Sequence, residues 1–285
     1  MYGETLMPDR QTPYQLKMKV IEIFDEIEGA KTFRFVNIDD KPLFKYNPGQ
    51  AAKLYYDTPL KKNDFRLYSI ASSPLRYEYF ELTIKSEGGR FAPYFLSQAN
   101  VGDICIVEGP FGRFLSKPLE MIEKGLVNIL VFLASSSGIV PFRCFIEYAI
   151  DANLDIEIYL FYVNRTRDDV IYRRLIPVLL SSYRKLNLIF NLTREHQVME
   201  NEIAAQILSN YENYRDRVSF LFGRRLEFED IKKTVIGWDD AYYAICGGAR
   251  FIIGDKERDE LGMMQKLELG GINRKNIEID TYGTK

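Results

Sequence analysis

The chain has 285 residues, with 38 Lys and Arg against 40 Asp and Glu for a formal net charge of −2, and it is 46% hydrophobic and 27% charged. At about 150 residues per domain this length predicts two domains, each able to bury its own core. The near-neutral balance excludes a general nucleic-acid binder, which needs a strong basic excess.

The first twenty residues hold no continuous apolar stretch and do not read as a signal peptide. From Gln15 to about Phe114 the segments are short and strand-like: LKMKVIEIF, KTFRFVNI, AAKLYY, RLYSIA, YFELTIK and DICIVEG. Asn47-Pro48-Gly49, Ser73-Pro74, Gly88-Gly89 and Gly109-Pro110 punctuate them. This pattern predicts an antiparallel β-barrel or sandwich. After Lys117-Pro118 apolar strands alternate with helix-length segments. The strand VNILVFLA precedes a helix from Pro141 to Ala152, and IEIYLFY precedes one from Val170 to Ser182. LNLIFNL precedes a helix from Glu200 to Tyr211; AYYAIC, a helix through Met263 to Leu269 and a last strand near IEID follow. The alternation predicts an α/β domain with a parallel sheet. The domains are therefore expected at 1–118 and 119–285.

The longest uncharged segment, Gly125 to Phe142, contains Asn128, three serines, Gly138 and Pro141. Its apolar part, Leu126 to Ala134, suits a buried strand, so no membrane span is expected. Cys105, Cys144 and Cys246 are too widely spaced for a disulfide framework or an iron–sulfur pattern, and His196 is the one histidine. No metal site is expected, His196 reads as a surface residue, and the expected compartment is cytoplasmic with reduced thiols.

Six motifs carry chemistry. In Arg66-Leu67-Tyr68-Ser69-Ile70-Ala71-Ser72-Ser73, Arg66 can hold a phosphate bidentately. Tyr68 shares its face by strand alternation and offers a ring, and Ser69 offers a hydroxyl. An ordinary edge strand with an exposed Arg has the same residues. Gly88-Gly89 before Arg90-Phe91-Ala92 brings backbone N–H groups within reach of phosphate, or makes a simple hairpin turn. Gly109 to Gly112 reads at least as readily as structural as it does as ligand-binding. In VFLASSSGIVPF, Ser136, Ser137 and Gly138 lead into a helix with Pro141 in its first turn. That is a natural anion site, and also the form of a generic strand–helix turn. The tip of the next strand carries Asn164-Arg165-Thr166-Arg167 with no acid, and Thr193-Arg194-Glu195 follows the third strand. An acid at this tip binds the ribose 2′-OH of NAD, whereas Arg suits the 2′-phosphate of NADP. Arg165 and Arg194 favour NADPH; Asp168 and Asp169 leave NADH open, and both arginines also read as solvated charges. Cys246-Gly247-Gly248 ends a strand, where a cysteine is commonly packing. Ile279-Asp280-Thr281-Tyr282 closes the pattern with an aromatic that also reads as core.

RLYSIASS resembles the flavin-binding stretch of the ferredoxin–NADP⁺ reductase family, nearest the plant-type form. The resemblance runs from about Tyr14 to Tyr282 with the motifs in the family's order. It implies that Arg66 binds the FAD pyrophosphate, with Leu67 in the same stretch. It implies that Tyr68 stacks on the isoalloxazine and that Ser69 lies near flavin N5. Gly88, Gly89, Arg90, Phe91 and Ala92 match the second flavin segment. A Ser usually stands at Ala92, so a hydroxyl contact is missing that backbone amides, Arg66 or Arg90 replace. Ser136, Ser137, Gly138 and Pro141 match the pyridine-nucleotide loop, with Ser136 at a usual Gly. Asn164, Arg165, Thr193 and Arg194 fall at the 2′-phosphate side. Cys246 and Gly247 match a Cys-Gly-Pro pattern from which Gly248 departs; Cys246 then shapes the site of nicotinamide C4 and is no nucleophile. Asp280 replaces a commoner Glu. Tyr282, here followed by three residues, shields the flavin or is a plain core aromatic.

Ser69, Cys246, Asp280 and Tyr282 are the catalytic candidates. The expected function is a flavoprotein oxidoreductase, of the ferredoxin/flavodoxin–NAD(P)⁺ reductase type. It transfers hydride between NADPH, or NADH, and FAD and passes electrons to a ferredoxin or flavodoxin. The alternatives are an NADH-dependent oxygenase reductase component or flavin reductase, and a flavin-binding regulatory subunit without nucleotide turnover. Ala92, Ser136 and Gly248 motivate the last. Lys61, Lys62 and Arg76 either steer an acidic partner or are solvated.

Overall fold

The computed structural model describes residues 13–39, 42–59, 61–87, 89–195 and 211–282. They form two compact units, residues 1–116 with 140–152, and 117–139 with 153–285.

The first unit is an antiparallel sheet of β1 (Tyr14–Ile27), β2 (Ala30–Asn37), β3 (Ala51–Thr58), β4 (Lys61–Ser69), β5 (Phe80–Lys85) and β6 (Ile104–Phe111). The spatial order is β4-β3-β6-β1-β2-β5. Ile70 bridges Leu82, so the sheet curls until its two edge strands meet at one end. Alternation drives the curl: Leu16, Met18 and Val20 point inward between the exposed Lys17 and Lys19. The helix α1 (Phe91–Gln98) sends Phe95 into the core, 4.8 Å from the Phe33 ring and 4.9 Å from Tyr56. Much of the aromatic content is this core, where Phe33, Phe35, Phe44, Phe80, Phe91 and Phe95 are buried in one cluster.

The short helix α2 (Ser116–Glu123), which the sequence reading lacks, leads to the sheet of the second unit. A helix also follows its first strand, but as α3 (Val140–Asp151) behind a single 3₁₀ turn, Ser136–Ile139. Pro141 is its second residue, where a missing N–H is still tolerated. This helix groups with the first unit, whereas the sequence assigned it to residues 119–285. The cause lies in VPFRCFIEYAID: ten of its twelve residues are buried, Arg143 and Glu147 among them. These two charges meet partners on the first unit's strands and loops.

The second unit's main sheet is parallel: β7 (Ile129–Ser135), β8 (Glu157–Asn164), β9 (Leu186–Leu192), β10 (Val218–Phe222), β11 (Tyr242–Gly248) and β14 (Ile277–Tyr282). The order is β10-β9-β8-β7-β11-β14. The chain reverses direction of travel between β7 and β11, so the crevice for a ligand lies at their carboxyl ends. The edge strand β10 is not foreseen in the sequence reading, nor is the hairpin of β12 (Gly254–Asp255) and β13 (Glu260–Leu261). The expected helix 170–182 shrinks to α4 (Ile176–Ser182). Upstream, the Asp169 carboxylate bonds back to the N–H and hydroxyl of Thr166 at 2.9 Å each, and Tyr172 takes a left-handed φ of 64°. Both interrupt a regular helix. The expected helix 200–211 lies, except for Tyr211, outside the described residues, as do Gly88 and His196. α5 (Phe228–Thr234), α6 (Ala249–Ile252) and α7 (Met263–Leu269) follow among the described residues of the unit. No described helix is long and apolar enough to cross a membrane.

Candidate functional site

In the first unit, β4 is an edge strand and exposed on both faces over much of its length. Arg66 and Tyr68 share one side, as alternation requires, and Leu67 points out, 54% exposed. The Arg66 guanidinium lies 5.7 Å from the Phe91 ring at the start of α1. A Cβ built on Gly89, whose φ is +70°, would sit 3.9 Å from Arg66 Nη2. Two segments far apart in the chain thus converge on one guanidinium. That guanidinium is half exposed, and among the described residues its acidic contact is Asp64 at 3.4 Å. Arg90 is exposed at the start of α1, whose first turn has no acid. Phe91 and Ala92 are buried in the core cluster.

The Tyr68 ring leans on Phe91 with centroids 6.4 Å apart. Its hydroxyl is buried and has no hydrogen-bond partner among the described residues. Burial raises its pKa, opposed by the nearby Arg66, so the phenol stays neutral. A buried unpaired hydroxyl is costly, and such a group marks a place for a ligand atom. Ser69 ends β4, half-buried and paired with Ala51. These residues suit a flavin dinucleotide: a half-exposed cation for phosphate, a ring for the flavin and a buried hydroxyl.

Beyond Ser69 the motif is locked. Ser72 is fully buried, its Oγ accepts the Glu81 N–H at 3.0 Å, and Tyr46 Oη donates to its carbonyl at 3.1 Å. Arg76, offered above as a steering charge, is instead consumed by Glu147 at 3.0 Å and Asp151 at 3.0 Å.

In the second unit the crevice residues cluster. Cys246 and Asp280 are paired across β11 and β14, and Gly248 is paired with Tyr282. The Cys246 thiol lies 4.0 Å from Asp280 Oδ2. Burial pushes the thiol pKa well up and the Asp280 carboxylate adds to it; burial raises the Asp280 pKa as well. Cys246 is therefore a neutral thiol, in keeping with a shaping group. A Cβ on Gly138 would meet the Cys246 carbonyl oxygen at 2.1 Å, and one on Gly247 would meet Ser135 Cβ at 2.9 Å. The loop after β7 and the end of β11 touch backbone to backbone, which only glycine permits. Ser136 holds a φ of 55° beside it. Tyr282 is half-buried, and its hydroxyl is bonded into this same loop, at Ser135 and Gly138.

At the adjoining strand tips, Asn164 is buried. The Arg194 N–H donates to the Arg165 carbonyl at 2.8 Å, and the Thr193 N–H to that of Asn164 at 3.0 Å. Both arginines are exposed, and among the described residues no carboxylate pairs with either guanidinium. Asp169 is used as a cap, Asp168 pairs with Arg173 at 3.5 Å, and Glu195 accepts the Arg167 N–H at 2.9 Å. The acids near this tip are thus engaged elsewhere. The sequence reading missed Arg224 and Arg225, which follow β10. Arg224 pairs with both oxygens of Asp230 at 2.6 Å and Arg225 with Glu260 at 2.6 Å.

A curled antiparallel flavin-type sheet and a parallel α/β sheet with this crevice define a ferredoxin–NADP⁺ reductase-like fold. Residues 17–115 match the family model of the oxidoreductase FAD-binding domain. Sulfhydrogenase 2 subunit gamma of Pyrococcus furiosus is 29% identical over 175 residues, 59% of this chain and 55% of its own. The ferredoxin reductase component of a 3-ketosteroid-9-alpha-monooxygenase from Mycolicibacterium smegmatis is 25% identical over 173 residues, 59% of this chain and 47% of its own. The chain thus spans about half the length of these relatives. A ferredoxin NADP⁺ reductase from Neisseria gonorrhoeae, solved with bound FAD and NADP, superposes with a TM-score of 0.68 at 17% identity. That match covers 94% of this chain and 98% of the other.

Proposed function

We propose that the chain is an NAD(P)H-dependent flavoprotein reductase that delivers electrons to a separate carrier or oxygenase protein. The observation that carries this reading is the meeting of Arg66, Gly89 and the Tyr68 phenol, which has no partner among the described residues, within the segment that matches the FAD-binding family model. FAD, when bound, supplies hydride acceptance and one-electron release. The first unit holds it: Arg66 and the Gly89 turn take the pyrophosphate, Tyr68 the ring, and Ser69 the reactive edge. The second unit holds the pyridine nucleotide: Ser136, Ser137 and Gly138 receive its pyrophosphate and ribose, followed by Pro141 in the chain. Cys246 and Gly247 form the floor for the nicotinamide, with Asp280 beside the thiol. Tyr282 releases the loop when nucleotide binds. The exposed Arg165 and Arg194, with Asn164 and Thr193, favour NADPH over NADH. The acceptor is of the ferredoxin or flavodoxin type, and three free buried thiols suit a reducing cytoplasm.

Anaerobic mixing of the FAD-loaded protein with NADPH and, separately, NADH tests this. Bleaching of the flavin absorbance by NADPH is expected. Faster bleaching by NADH rejects the arginine argument, and no bleaching by either rejects the reductase in favour of a flavin-binding regulatory subunit.

A further inference from the structure

Seven charged side chains form an alternating chain through the first unit. Glu22 on β1 pairs with Arg34 on β2 at 2.6 Å, and Arg34 pairs with Glu81 on β5 at 2.8 Å. The other oxygen of Glu81 takes Arg143 on α3, which reaches Glu147 at 3.2 Å. The second oxygen of Glu147 takes Arg76 at 3.0 Å, and Arg76 holds Asp151 with two contacts, 3.0 and 3.3 Å. The centre is dry: Glu81 and Glu147 side chains are 1% exposed and Arg143 is 6% exposed.

Buried ion pairs are weak sources of stability, because desolvation cancels much of the attraction. Their contacts are directional, however, and an uncompensated partner is costly, so they fix geometry. What they fix here is the exit of the Arg66–Ser73 stretch. The Arg76 end of the chain lies three residues past Ser73. Glu81, at its middle, donates its backbone N–H to Ser72 Oγ and accepts the Ala71 N–H at 2.9 Å. The Cys144 thiol, next to Arg143, donates to the Ser72 carbonyl at 2.9 Å. We infer that Arg76, Arg143 and Glu147 are positioning residues for the flavin, holding Ser69 and Tyr68 in place by clamping the turn that follows them.

The inference rests on the FAD reading, and its test separates the two. FAD affinity of the apoprotein and the visible circular dichroism of the bound flavin are measured for wild type, Arg76→Gln, Arg143→Lys and Arg143→Met. Val107→Ala, in the barrel core away from this chain, is the control for simple destabilisation. Arg76 lies at the rim of the network, so Arg76→Gln is expected to fold. We expect its Kd for FAD to rise at least tenfold, with an altered flavin dichroism. Arg143→Met is expected to lose more and Arg143→Lys to recover part of the loss. The control is expected to melt earlier but bind FAD normally. If Arg76→Gln and Arg143→Lys keep the wild-type Kd within twofold and the wild-type dichroism, the positioning role is wrong. It is also wrong if the control weakens FAD as much. If wild type binds no FAD, the proposed function itself fails.

Discussion

The Tyr282 hydroxyl donates to the Ser135 carbonyl at 2.5 Å and accepts the Gly138 N–H at 3.2 Å. One phenol thus ties the end of β14 to the loop that follows β7. It also occupies an amide of the kind that binds a nucleotide phosphate. Tyr282→Phe keeps the ring and removes both bonds, each worth about 0.5–1.5 kcal/mol net. Urea unfolding should show a loss of about 1–3 kcal/mol. Because Gly138 N–H is then free, NADP⁺ titration should show severalfold tighter binding. Weaker binding would mean that the phenol belongs to the nucleotide site itself.

Gly138 has no room for a methyl group, because its Cβ would lie 2.1 Å from the Cys246 carbonyl oxygen. Gly138→Ala must part the loop from β11. A loss of about 2 kcal/mol or more is expected, with at least tenfold weaker nucleotide binding. Gly248 is the contrast, since nothing lies within 4 Å of its built Cβ and its φ is −67°. Gly248→Ala should leave both properties near wild type. Thermal melting and NADP⁺ titration of the two variants check this.

Arg194 is exposed and free of acidic partners among the described residues. A charge-assisted bond to a 2′-phosphate is worth about 1.5–3 kcal/mol, or roughly ten- to a hundredfold in affinity. Arg194→Ala should raise KM for NADPH by about that factor and leave KM for NADH within about twofold. Equal effects on the two nucleotides would reject a phosphate contact.

The Asp280 carboxyl binds its proton more tightly in the folded chain than in the unfolded one, because burial penalises the charge. Its stabilising contribution is complete below the ordinary Asp range and is lost as pH rises through the elevated folded value. Asp280→Asn should therefore melt at a higher temperature than wild type at pH 7.5. The difference should shrink as pH falls toward about 4. A difference independent of pH would show that the carboxylate's charge is not the cause.

Much of the fold was legible because its signals are local. The alternation in LKMKVIEIF marked β1, and the apolar run in VNILVFLA marked β7. The pairing of Cys246 with Asp280 was not legible, because it depends on the register between β11 and β14. Three features were hidden for physical reasons. VSFLF is a short edge strand between polar stretches, and five residues leave little periodicity to read. The helix after β8 was overextended because the Asp169 cap and the left-handed Tyr172 depend on tertiary contacts. Arg143 and Glu147 did carry a signal, as two charges four residues apart in VPFRCFIEYAID. That spacing alone assigns them no role, because their partners Glu81 and Arg76 are distant in sequence.

Because α3 groups with the first unit, neither unit is a single uninterrupted stretch of chain. A gene fragment ending near residue 118 would encode every strand of the first sheet yet omit Arg143 and Glu147. Glu81 would then keep one of its two cations, and Arg76 would lose both of its acids. Recombination that shuffles whole domains between reductases would have to carry residues 140–152 along, or replace that inner charge chain together with its helix.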